Sequence, residues 1–215
     1  MKTSVALKSL LGVAALALPL LASAESNVST SATGVGALTT TAHVNFSIVV
    51  AKTLYLRVGT GSTYTTGAYT ANATQDTITF TPAITALGNG TSVAGTGGDL
   101  TGGVETAALV SNGGTVSLSA TTAGALTDSA GDTIPYSQIT TTASAGTFGT
   151  LLTAPTLANG NSNTLTFTPV PAKGVVLADA KWTYAYANNV VVPPGTYGAG
   201  TAGGNGLVTY TATMP

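Results

Sequence analysis

Apolar and polar residues alternate with a period of two along much of this chain. Ala42, Val44, Phe46, Ile48 and Val50 interleave with His43, Asn45, Ser47 and Val49. Successive strand side chains point to opposite faces, so the pattern predicts a half-buried β-strand over residues 42–50. A second follows at once over 52–58, with Leu54, Leu56 and Val58 on one face, Tyr55 and Arg57 on the other, and Gly59-Thr60-Gly61 as its terminator. Residues 77–82 and 164–169 are near copies, Thr-Ile-Thr-Phe-Thr-Pro and Thr-Leu-Thr-Phe-Thr-Pro. Each reads as an alternating strand closed by a proline that cannot donate to a ladder, and the pair is expected to occupy topologically similar places. Residues 115–120 form a further alternating run. Residues 181–186 set Trp182, Tyr184 and Tyr186 on one face. The final nine residues place Val208, Tyr210, Ala212 and Met214 opposite Thr209, Thr211 and Thr213, a closing strand whose apolar face is expected to plug the core.

Between these runs lie turn signals rather than helices. Asn-Gly pairs at Asn89, Asn112, Asn159 and Asn205 favour the positive φ of tight hairpins. Residues 128–132 form a turn ahead of the 133–136 strand, and 88–103 reads as a long glycine-rich surface loop. Short strands, frequent turns and no amphipathic helix together predict an all-β chain, a single antiparallel sandwich of immunoglobulin-like or jelly-roll layout.

The first 24 residues stand apart. Lys2 and Lys8 precede an apolar run from Leu10 to Leu21, and Ala22-Ser23-Ala24 has the small-x-small form of a cleavage site. The pattern is that of a secretory signal peptide, too short to span a bilayer, with a mature chain expected from Glu25. Residues 25–46 then form an amino-terminal extension and first strand, and 47–215 the sandwich domain. The mature part carries Lys52, Arg57, Lys173 and Lys181 against seven acids, a formal net charge of −3. So weak a field has no basic surface for nucleic acid and no polybasic patch for anionic lipid, and no later stretch suggests membrane insertion of the mature chain. Charged residues make up 6% of the sequence. Solubility therefore rests on hydroxyls, amides and backbone, a composition suited to a protein meant to associate.

Candidate chemistry is sparse. With no cysteine, thiolate metal sites, redox motifs and cysteine nucleophiles are excluded. His43 is the single histidine and reads as a polar-face strand residue. Asp99, Asp128 and Asp132 lie among glycines without the ligand spacing of a calcium loop, so turn capping accounts for them better. No pair among the seven acids is marked out for glycoside hydrolysis, and no Lys-Ser/Thr follows the glycine-rich loop to make a phosphate cradle. No cofactor is expected. The face of Trp182, Tyr184 and Tyr186 admits two readings, a buried cross-strand ladder or a platform for stacking sugars; the ladder suits a charge-poor sandwich better.

Several segments carry a family resemblance: the Ala22-Ser23-Ala24 junction, residues 39–58, Ile134-Pro135-Tyr136, Pro194-Gly195-Thr196-Tyr197 and Val208-Thr209-Tyr210-Thr211-Ala212. In these the chain resembles the pilin-type subunits of bacterial chaperone-usher fimbriae, in particular the cysteine-free colonisation-factor class. The resemblance implies a sandwich lacking one strand, completed first by a periplasmic chaperone at an outer-membrane usher and then by the amino-terminal extension of the next copy, so that a filament grows at the cell surface by β-augmentation. It further implies that Val28, Ala32, Val35 and Leu38 belong to the donating segment and that Val208, Tyr210, Ala212 and Met214 face the groove. Two other classes remain open. A secreted carbohydrate-binding or adhesive module would expose Trp182. A secreted hydrolase would hold two close acids in a pocket.

Overall fold

The computed structural model describes residues 25–59, 69, 71–147, 149–169 and 174–215. The expected signal peptide, residues 1–24, lies outside them. The chain divides into two units, Met1–Val50 and Ala51–Pro215.

In the first unit, residues 25–50 contain no strand. The alternating run at 42–50 is exposed and forms no ladder rather than being a half-buried strand, because alternation specifies a face but a strand also needs a ladder partner, and the described residues of its own unit offer none. His43 is accordingly not on a sheet face; its Nδ1 lies 2.9 Å from Glu25 Oε2 in an exposed pair.

The second unit is all-β, with two single 3-10 turns (Ile84–Ala86 and Tyr136–Gln138) as its only helical elements among the described residues. Its strands in chain order are β1 (Leu54–Val58), β2 (Ile78–Thr79), β3 (Val93–Ala94), β4 (Thr96–Gly97), β5 (Val104–Ser111), β6 (Val116–Thr122), β7 (Leu126–Thr127), β8 (Thr133–Ile134), β9 (Ile139–Ala145), β10 (Thr150–Leu151), β11 (Leu165–Phe167), β12 (Val176–Tyr186) and β13 (Val208–Thr213). The larger sheet runs β1-β5-β12, with β3, β9 and β10 also pairing on β12; the smaller runs β11-β6-β13. All pairings are antiparallel except the two-residue contact of β10 with β12. The inward faces of both sheets meet in one core: Ala107 and Leu109 from β5, Val116, Leu118 and Ala120 from β6, and Val176, Ala178, Ala180, Trp182 and Tyr184 from β12. The smaller sheet turns a face of hydroxyls outward. Thr166 and Thr213 flank Ser117, Thr211 pairs with Ser119 and Thr209 with Thr121, so cross-strand Ser/Thr neighbours cover it without a charge.

Several expected details resolve differently. The near-copies at 77–82 and 164–169 do not occupy similar places: β2 is a two-residue ribbon with β4, whereas β11 edges the smaller sheet. Residues 88–103 are not a bare loop, since they contribute β3 and β4. Of the four Asn-Gly asparagines only Asn205 has positive φ, at 57°. Asn112 sits between β5 and β6, which belong to different sheets, so it turns no hairpin; its Oδ1 accepts from Thr53 N–H at 2.7 Å and its amide donates to Ala51 O. The Asp128 turn does join a hairpin, β7 to β8, with Asp128 Oδ1 accepting from the Ala130 and Asp132 amides at 2.9 and 2.8 Å.

Candidate functional site

β1 and β13 are the outermost strands of their respective sheets on the same flank of the second unit, and they touch each other. Each has one paired edge and, among the described residues, one unpaired edge. Leu54, Leu56 and Val58 of β1 lie on the core face opposite Ser111, Leu109 and Ala107. Val208, Tyr210 and Ala212 of β13 do the same from the smaller sheet, followed by Met214. Among the described residues these seven are half of the fourteen partly buried apolar residues that border the core. Half of the core's partly exposed border therefore lies along this flank.

Polar contacts fix the rings and ends of the flank. The Trp182 and Tyr210 ring centroids are 5.2 Å apart at 46°, and the Tyr184 and Tyr210 hydroxyls are 2.9 Å apart. Burial pushes the Tyr210 phenol up to about 12 and the Tyr184 phenol well above its usual value, so both remain protonated donors at any physiological pH. Ser111 Oγ donates to Met214 Sδ at 2.8 Å, and Lys52 Nζ donates to Pro215 O. At the Val58 end, carboxyl oxygens of Glu105 and Asp76 approach Gly59. Glu105 is 5% exposed; its Oε2 accepts from the Asp99 amide at 3.3 Å, and an Asp76 carboxyl oxygen lies on the same side of Gly59. Burial, and after it the neighbouring Asp76, raises the Glu105 carboxyl from 4.5 to about 7. Asp99 faces the other way, accepting from Thr106 N–H at 2.8 Å and from Thr106 Oγ1, with Arg57 Nη2 3.6 Å off.

The aromatic residues of 181–186 stand in the core. Trp182 is 0% exposed with its indole N–H donating to Leu152 O at 2.6 Å, and Tyr184 and Tyr186 are buried. No ring face of the three is open for a sugar to stack upon. The expected donor positions Val28, Ala32, Val35 and Leu38 are all exposed, and none lies in a strand. A longer apolar run follows them: Val44, Phe46, Ile48, Val49 and Val50 are 74 to 92% exposed. The Glu105 cluster escaped the sequence, because its members lie on β1, β5 and the segments ahead of β2 and β5; only the oddity of an acid inside the apolar run 104–110 hinted at it.

A shallow cleft of about 140 Å³ beside Asp179, lined by Gly146, Thr147, Gly149 and Leu151, is well below the volume of a small-molecule site. Among the described residues no group of three or more His, Cys, Asp or Glu is placed to hold a metal, and no helix is long and apolar enough to cross a membrane. No family model, curated protein or solved structure matches the chain.

Proposed function

We propose that this chain is a structural subunit of an extracellular, fimbria-like filament, with the second unit an immunoglobulin-like sandwich that a neighbouring copy completes. The observation that carries the reading is the apolar run at 42–50, without a ladder among the described residues and exposed at Val44, Phe46, Ile48, Val49 and Val50. An exposed apolar strand is an aggregation hazard unless a partner pairs its backbone and buries its side chains. The flank of β1 and β13 offers the complement: an edge of β13 with no ladder partner among the described residues, beside half-covered apolar residues.

In this reading the donating residues are centred on Val44, Phe46, Ile48 and Val50, which share one face, rather than on Val28, Ala32, Val35 and Leu38. They add to the outer edge of β13 of the next copy, hydrogen-bond along it and cover the neighbouring apolar border. A periplasmic chaperone would occupy the same edge in transit. The buried state of Trp182 removes the feature that would have favoured a carbohydrate-binding module.

The test is electron microscopy of cells and of purified protein, comparing the natural chain with a Phe46→Asp, Ile48→Asp double variant. Filaments from the natural chain and folded, unassembled variant are the expected result. Filaments of normal length from the variant overturn the assignment of the donor, and a natural chain that stays monomeric at high concentration overturns the filament.

A further inference from the structure

β1 pairs with β5 in a register that sets Leu54 opposite Ser111, so the next position sets Thr53 opposite Asn112. Asn112 N–H donates to Thr53 O at 3.2 Å, as a ladder residue would. Beyond it the backbone leaves β1 and crosses to β6 in the other sheet. The Asn112 side chain then continues the ladder. A carboxamide carries an acceptor oxygen and an N–H donor, the same two groups as a peptide unit. Its Oδ1 accepts from Thr53 N–H at 2.7 Å, and its Nδ2 donates to Ala51 O at 2.8 Å. Three hydrogen bonds from one residue thus splint residues 51–53 and prolong the pairing of β1 back to Ala51. The apolar run ends at Val50, so no free residue separates it from the splint.

β13 finishes beside the same point. Met214 lies at the Leu54 end of β1, where Ser111 Oγ donates to its Sδ at 2.8 Å, and Lys52 Nζ donates to Pro215 O. A Cβ on Gly113 would stand 2.6 Å from Lys52 Cε and 2.8 Å from Met214 Sδ, so the two side chains share its surface. Tyr210 packs instead on Trp182, which pairs with Glu105 toward the Val58 end. β13 therefore runs in the opposite sense to β1 and ends level with residues 51–53. Residues ahead of Ala51 can reach the β13 edge of their own copy only by reversing direction, and a reversal takes about two residues of turn or more. The splinted residues cannot supply it. Taking it from the run would remove Val49 and Val50 from the edge. Without such a bar the run's own copy would win, because a tethered segment meets its site at an effective concentration of about millimolar, far above that of other copies in solution. We propose that Asn112 is the positioning residue that commits the apolar run to another copy, its carboxamide fixing residues 51–53 so that the run cannot fold back onto its own β13. This role rests on the filament reading and adds to it the reason why a subunit is not closed by its own segment.

Asn112→Ala removes both side-chain bonds and keeps the backbone one. A second variant inserts Asn-Gly-Ser-Gly between Val50 and Ala51, which gives the run a turn without touching Asn112. Both are compared with the natural chain and with the Phe46→Asp, Ile48→Asp variant by sedimentation, electron microscopy and amide hydrogen exchange over residues 42–50. The natural chain is expected as filaments. The two new variants are expected chiefly as monomers, assembling at least about tenfold less at micromolar concentration, with the run protected from exchange about tenfold or more beyond the Phe46→Asp, Ile48→Asp variant. Loss of a merely structural Asn112 would lower stability without raising that protection. Asn112→Ala decides where it folds; where it does not, the insertion variant decides. Filaments of normal yield from the deciding variant overturn the role of Asn112 and leave the filament standing, and so do monomers whose run is unprotected. A natural chain that is monomeric with its run unprotected overturns the filament instead. One that is monomeric with its run protected overturns the role of Asn112, since the splint has then not prevented closure.

Discussion

At the scale of single residues, Tyr210 and Gly59 concentrate the constraints of the open flank. Tyr210 is half-buried with its ring against Trp182 and its hydroxyl on that of Tyr184. Tyr210→Phe keeps the ring contact and leaves the Tyr184 hydroxyl without that partner, so a loss of about 1 kcal/mol in urea unfolding is expected. Tyr210→Asp instead places a carboxylate against the core and is expected to cost several kcal/mol, read as collapse of the protease-resistant protein. Normal accumulation of the Asp variant would show that β13 does not cover the core. At Gly59 an alanine meets a left-handed backbone and two carboxyl oxygens together, so Gly59→Ala should lose at least about 1–2 kcal/mol. Asp76→Asn, which takes away the like charge beside Glu105, should recover none of the backbone part.

At the scale of elements, legibility depended on exposure. β1, β6 and β13 were plain in the sequence because one face of each is apolar and the other is hydroxyl or polar, the alternation of a sheet with one wet side. β5 was not. Its Ala107, Ala108, Leu109 and Val110 are all buried, the outer pair beneath Tyr55 and Leu177, and a strand covered on both faces has no period to read. β9 was missed for the opposite reason, since Ile139 to Ala145 is mostly threonine and alanine and owes its strand form to pairing with seven residues of β12. The 42–50 run shows the converse error: alternation, broken only at Val49, without a ladder partner among the described residues. Among the candidate residues, the core-facing role of Val208, Tyr210 and Ala212 was legible from alternation, whereas the Glu105 cluster is assembled by topology and was not. The same element supplies a test. A peptide spanning residues 39–51 should bind the Phe46→Asp, Ile48→Asp variant and raise its stability by about 2.7 kcal/mol at a hundred times its Kd, measured as a shift in urea midpoint. A peptide spanning 28–38 should do so less. Equal stabilisation by the two would return the donor to Val28, Ala32, Val35 and Leu38.

At the scale of the whole second unit, pairing is almost entirely between distant parts of the chain. Leu54 pairs with Ser111, Val104 with Thr183 and Thr122 with Val208; the β7–β8 hairpin is among the few local contacts. Closing such loops costs entropy before any contact returns it, and refolding on the millisecond-to-second scale is expected in stopped-flow measurements. The order of synthesis sharpens this. β6 is the middle strand of its sheet, yet β13, one of its two partners, emerges some 86 residues later. Throughout that interval one edge of β6 has nothing to pair with, however well the larger sheet has formed. A nascent or translocating chain of this kind must be kept unfolded, or have that edge held by another protein, until its last described strand arrives.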